Sequence, residues 1–166
     1  VAPSAPFHRI EFDDWQKTLD VNLNGVFHCT QIALGDMKAS GWGRIVTIAS
    51  TASLKGFAYV SGYCASKHAA LGLTRALALE TAQQGITVNA ICPGYVDTDI
   101  VRDSIQGIMA KTGRSEAEAL QHFTQSNPQG RLIEASEVAA SVSWLCSEGA
   151  ASVTGQAIAI DGGSTA

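Results

Sequence analysis

Charge is scarce in this chain: of its 166 residues only 16% are Asp, Glu, Lys or Arg, where about 25% is usual, while 46% are hydrophobic. That balance excludes long solvated tracts and disorder. Proline is rarer still, four residues against sixteen glycines, and the glycines keep no Gly-X-Y period, which excludes a collagen-like chain. No apolar run approaches the roughly 20 residues that span a bilayer, and the opening VAPSAPFHRIEFDD has no basic head followed by an apolar stretch. A soluble protein that neither enters a membrane nor is secreted is expected.

A net charge of −4 with basic residues scattered singly leaves no tract for a phosphate backbone, so nucleic acid is not expected as a partner. The cysteines Cys29, Cys64, Cys92 and Cys146 stand 35, 28 and 54 positions apart, with no CxxC pair, each in apolar surroundings. Buried free thiols in a reducing cytoplasm are the expectation. His8, His28, His68 and His122 form no HxxxH or HExxH spacing, and no metal site is expected.

What is there is a regular alternation. Trp15, Leu19, Val26, Ala33 and Met37 keep the spacing of one helix face, with Asp13 or Asp14 as cap and Gly41 as stop. Arg44–Ser50 is a short β-branched run, predicting a strand covered on both faces. A second helix is expected from near Tyr63 to about Ala82, and Ile86–Cys92 reads as another buried strand, stopped by Pro93-Gly94. Residues 95–131 are more polar and read as a lid, with one short helix opened by the capping box Ser115-x-x-Glu118. Ser136 is then expected to cap a helix through about Ser147, and Gln156–Ile160 to form a last strand. Length and order together predict one domain over 1–166, an α/β fold with a doubly wound parallel sheet. Ligands of such sheets bind beyond the carboxyl ends of the strands, which nominates Ser50 and Pro93-Gly94. Three parallel strands alone leave an edge open, so the chain reads as the second half of a larger fold.

Tyr63-Cys-Ala-Ser-Lys67 is the sharpest chemical feature, because a tyrosine and a lysine four apart project from one helix face. A phenol titrates near ~10 in water, so proton exchange at neutral pH costs about 4 kcal/mol unless the surroundings favour the phenolate. An ammonium within ~4 to 6 Å has that effect. Ser50, thirteen residues earlier at a strand end, is placed to hold a substrate oxygen beside the phenol. Asn22 lies on the apolar stripe of the first helix, where its amide either satisfies a kink or holds a water leading toward Lys67. In the lid, Ile105, Ile108, Met109 and Phe123 either line an acyl pocket or simply pack the lid, and Arg102 and Arg114 are expected to be solvated.

Asn22 within VNLNGVF, GRIVTIAS ending at Ser50, YCASKHA, ITVNAICPGYVDT and the terminal VTGQAIAIDGG together resemble the short-chain dehydrogenase/reductase family, in order and spacing. The likeness extends to 3-oxoacyl thioester reductases and aromatic polyketide ketoreductases. The resemblance implies a Rossmann-like fold and a hydride transfer between NAD or NADP and a ketone or secondary alcohol. It makes Tyr63 the proton donor, with Lys67 lowering the tyrosine pKa and binding the nicotinamide ribose. It makes Ser50 the residue that polarises the carbonyl and Asn22 the anchor of a relay water. Pro93, Gly94, Val96 and Thr98 match the stretch that approaches the nicotinamide, and a homodimer or homotetramer is implied. The family's glycine-rich GxxxGxG turn is not in this sequence, which reads as the carboxyl-terminal portion of the fold. A second expectation is therefore a non-catalytic fragment or dimerisation module of such an enzyme.

Overall fold

The computed structural model describes residues 1–166. Between Phe12 and Ser40 the chain forms the expected long helix, but with a fault in it: α1 (Phe12–Leu19) passes through a π turn at Asp20–Asn24 into α2 (Gly25–Ser40). In the π turn the Gly25 N–H bonds back to the Asp20 carbonyl, one residue further than in an α-helix. The N-cap position of α1 is Glu11, so Asp13 and Asp14 lie inside the first turn, where carboxylates complement the positive end of the helix. Gly41 ends α2 as expected, in the left-handed conformation at φ +68 that a side chain would strain.

Three parallel strands follow, β1 (Gly43–Ile48), β2 (Ile86–Pro93) and β3 (Ala157–Ile160), in the spatial order β1-β2-β3. Gly43 pairs with Ile86 and Ile48 with Ile91; on the other side Ala90 pairs with Ala157 and Pro93 with Ile160. Only β2 is buried throughout. β1 is covered on both faces as its composition suggests, Ile45 packing toward α2 and α3 and Val46 toward α6, but no strand pairs with its outer edge and Ile48 at its end is 47% exposed.

Alternation along β2 sorts its side chains to two layers. Ile86 and Val88 pack on Leu77 and Ala78 of α3 (Ser61–Thr81), with Leu34 and Met37 of α2 beside them. Further along the same face, Ala90 and Cys92 meet Leu71 and Ala49. On the opposite face Ile91 packs on Leu145 of α6 (Ala135–Leu145), with Val138 and Val142 turned inward as expected. The α6 N-cap is Glu134, boxed with Glu137, and Ser136 sits in the first turn.

The segment between β2 and α6 holds two helices where one was expected: α4 (Asp99–Thr112) and α5 (Glu116–Thr124). The Ser115–Glu118 capping box opens α5 as predicted. Val101 and Ile105 of α4 pack directly on Ala119 and Phe123 of α5, with Ile108 and Met109 against them, so these side chains fill the space between the two helices. Arg102 is not merely solvated; it pairs with Asp97 at 2.9 Å. Two of the four thiols also depart from expectation, since Cys64 and Cys92 are buried but Cys29 and Cys146 are exposed. No helix is long and apolar enough to cross a membrane.

Candidate active site

The carboxyl ends of parallel strands face one way, which brings the segments after β1 and β2 side by side. Ser50 follows β1 by two residues in extended backbone (φ −171, ψ 162) and opens the Thr51–Ser53 turn, its Oγ accepting from the Ala52 N–H at 3.1 Å. Tyr63 is the third residue of α3, and Lys67 follows one turn later. The Lys67 Nζ donates to the Ile48 carbonyl at 2.9 Å and stands over the Tyr63 ring, 5.8 Å from its centroid.

Burial pushes the Tyr63 phenol above its ordinary pKa, a hydrogen bond with the Ser50 side chain pulls it partly back, and Cys64 adds to the rise. The counterweight to burial at Tyr63 is the Ser50 side chain, and burial prevails. Burial likewise moves the Lys67 ammonium below its ordinary value, against a smaller opposing effect of Cys92.

Asn22 lies in the π turn and is buried. Its Nδ2 donates to the Val1 carbonyl at 2.8 Å and to the Ser66 Oγ at 3.2 Å, while its Oδ1 accepts from the Val1 nitrogen at 3.0 Å. Of the two readings open for this residue, the break in helix geometry is present, and the side-chain bonds run to Val1 and Ser66, not to Lys67.

Pro93 ends β2, and the Gly94 N–H donates to the Ile160 carbonyl of β3 at 3.0 Å. A Cβ at Gly94 would stand 3.2 Å from the Cα and Cβ of Asp161, so a bare backbone is what lets the two strand ends lie together. Val96 bridges Ile133 in parallel fashion. Thr98 precedes α4 in extended backbone, with its Oγ1 donating to the Val96 carbonyl at 3.3 Å. The four residues thus form a continuous ledge beginning at the end of β2, beside the segment that carries Ser50. The group that suits a nicotinamide ribose is Lys67, which spends one of three N–H donors on Ile48 and keeps two.

Several participants escaped sequence reasoning. Tyr95 packs edge-on against Phe123 at 5.1 Å and joins α5 to the site. Asp161 holds the final turn through the Gly163 N–H and the hydroxyls of Ser164 and Thr165. Lys55, in the segment after Ser50, donates to the Ser164 carbonyl at 2.6 Å. The Asp161-Gly-Gly turn was visible as punctuation, but its long-range partner Lys55 had no signal, because nothing local links positions 109 apart.

The profile of a family described as Enoyl-(Acyl carrier protein) reductase matches residues 1–165. The chain belongs to the short-chain dehydrogenase/reductase family. Short-chain dehydrogenases/reductases are NAD(P)-dependent oxidoreductases, and the relatives fit that description. A D-beta-hydroxybutyrate dehydrogenase of Rhizobium meliloti (strain 1021) is 38% identical over 155 residues, 93% of this chain and 60% of the relative. An acetoacetyl-CoA reductase of the same organism is 39% identical over 163 residues, 98% of this chain and 64% of the relative. Among solved structures, the F189W actinorhodin polyketide ketoreductase with NADPH superposes with a TM-score of 0.93 at 39% identity, covering 99% of this chain and 64% of that one. The chain therefore spans about three fifths of the short-chain dehydrogenases/reductases it matches.

Proposed function

We propose that the chain is the catalytic part of an NAD(P)-dependent ketoreductase that interconverts a ketone and a secondary alcohol, with a 3-oxoacyl thioester as the substrate class. The observation that carries this reading is the meeting of Ser50, Tyr63 and Lys67 at the strand ends, where burial favours the neutral Tyr63 phenol. A protonated phenol beside a serine hydroxyl suits reduction: Ser50 orients the carbonyl oxygen and Tyr63 gives it a proton. Lys67 and the Pro93, Gly94, Val96, Thr98 ledge are the residues that would hold the nicotinamide end of NAD or NADP. When bound, that cofactor supplies or accepts the hydride. Asn22 acts from behind, through the π turn. Relatives named acetoacetyl-CoA reductase and polyketide ketoreductase support the thioester class.

Segment 95–131 is proposed as the substrate lid, supported by the edge contact of Tyr95 with Phe123. Association into a homodimer or homotetramer is supported by α2, a helix with no fully buried residue and with Ile32 79% exposed. The same exposed helix is what favours the second reading, a dimerisation module without activity of its own. Four free thiols suit a reducing, cytoplasmic setting.

The test uses the full-length enzyme. Tyr63→Phe is expected to lower kcat on 3-oxoacyl thioesters by roughly 10²-fold or more while leaving NADH or NADPH binding, followed by fluorescence titration, unchanged. Undiminished turnover would remove Tyr63 from the reaction. Failure of the native protein to bind either dinucleotide would favour the non-catalytic module.

A further inference from the structure

Ser66 lies between two members of the site and touches neither substrate nor cofactor position. It is completely buried, at 0% exposure. Its Oγ donates to the Tyr63 carbonyl at 2.7 Å and accepts from the Asn22 Nδ2 at 3.2 Å. We propose that Ser66 is a positioning residue: its hydroxyl couples the π turn at Asn22 to the first turn of α3 and so holds the Tyr63 phenol against Ser50. The proposal rests on the reading of Tyr63 as proton donor.

The direction of this chain of bonds is fixed by its members. Asn22 cannot turn its amide over, because Oδ1 accepts from the Val1 nitrogen while Nδ2 donates to the Val1 carbonyl. The group facing Ser66 is therefore an N–H, which obliges the Ser66 oxygen to accept and leaves its only proton for the Tyr63 carbonyl. Reversal would set two donors against each other in a dry site.

The place where this bond lands matters. The N-cap position of α3 is Val60, which supplies no side-chain cap, so the turn that carries Tyr63 lacks the usual anchor of a helix start. A helix start without a cap frays unless something holds it from the side, and the Asn22–Ser66 link reaches it from a neighbouring helix. Other buried hydroxyls do not share this geometry. Thr18, Thr74 and Thr81 each bond to the carbonyl four residues back, a common local habit. Ser66 makes the same kind of local bond, three residues back to Tyr63, but it alone of the four also accepts from an amide on another element.

The experiment compares Ser66→Ala, Asn22→Ala and the double variant in the full-length enzyme, with Tyr63→Phe alongside. Ser66→Ala is expected to lower kcat roughly tenfold, less than loss of the acid itself, with KM for the ketone and affinity for the dinucleotide near wild type. The limb of the kcat–pH profile that belongs to Tyr63 should move to higher pH. The sign holds for a Tyr63 that stays buried but drifts from Ser50: burial still raises the phenol, and the restraint that Ser50 supplies is lost. The double variant should be no slower than the slower single one, because both changes cut the same link. Ser66→Cys, close in size but a weak donor, should fall between wild type and Ser66→Ala, and it carries the same measurements if Ser66→Ala does not fold. An unmoved pH limb with wild-type kcat, or losses that multiply in the double variant, would overturn the proposal. A slow Tyr63→Phe beside a wild-type Ser66→Ala would remove the coupling alone, whereas a fast Tyr63→Phe would remove the reading beneath it.

Discussion

Burial raises the Tyr63 phenol more than the Ser50 side chain lowers it, so in the proposed reaction the two directions are expected to differ in their pH demands. Reduction needs the neutral phenol and is expected to hold a plateau through neutrality. Oxidation needs the phenolate and is expected to rise only on the alkaline side. Ser50→Ala removes the bond that restrains the phenol, so the Tyr63 limb should shift upward in pH and kcat should fall by roughly 10²-fold, both read from pH–rate profiles of the intact enzyme. At this scale the spacing of Tyr63 and Lys67 and the strand-end positions of Ser50 and Pro93-Gly94 were legible as candidates, whereas Val96 and Thr98 came only from the likeness to the family. What a helix offset of four could not give was the electrostatic ranking. Proximity of Lys67 to Tyr63 follows from the sequence, but the degree of burial that overrides it depends on which side chains from other elements close over the ring.

At the scale of elements, the joints that hold the layers are polar. Asn89 of β2 is fully buried, donating to the Val153 carbonyl at 2.8 Å and accepting from the Gln156 N–H at 3.0 Å, and so pins the approach to β3. Asn89→Ala strands both backbone groups away from water and is expected to destabilise the protein by about 2–4 kcal/mol, measurable by urea titration. At the exit of the 95–131 segment, Arg131 makes two hydrogen bonds to Glu137, whose carboxyl is held down to about 2. A depressed carboxylate stabilises the fold above its unfolded value of 4.5, and the contribution is lost as pH falls from there toward about 2. Glu137→Gln should therefore flatten the acid limb of the stability–pH curve in thermal melts. Elements with strong punctuation, such as Gly41 after α2 and Ser115-x-x-Glu118 before α5, were readable in advance. Helix α4 was not, because Val101 and Ile105, packed with α5 and Leu132, give only a short stripe among polar residues. At the π turn the polar Asn22 on an apolar stripe signalled a kink, but not that the kink would be a register shift, which shows in the bond from the Gly25 N–H to the Asp20 carbonyl.

For the whole molecule, the order of helices and strands predicted the parallel sheet, and the same reading anticipated an open border. It did not say which strand would be central, since the run Arg44–Ser50 looks as apolar as Ile86–Cys92 yet only the latter has a strand on each side. Exposed Ile32 on α2 and Leu79 on α3, 79% and 83% accessible, are expected to be covered in the native assembly. Combining Ile32→Glu with Leu79→Glu should shift sedimentation equilibrium of the full-length protein toward monomer. The bare flank of β1 has a harsher consequence. From Gly43 to Ile48 it offers amides and carbonyls that no strand engages, and hydrogen-bonding groups so arranged template growth. Because the chain spans about three fifths of its relatives, the full-length protein is expected to seal this seam, and the outward-facing amides of β1 should then exchange slowly with deuterium.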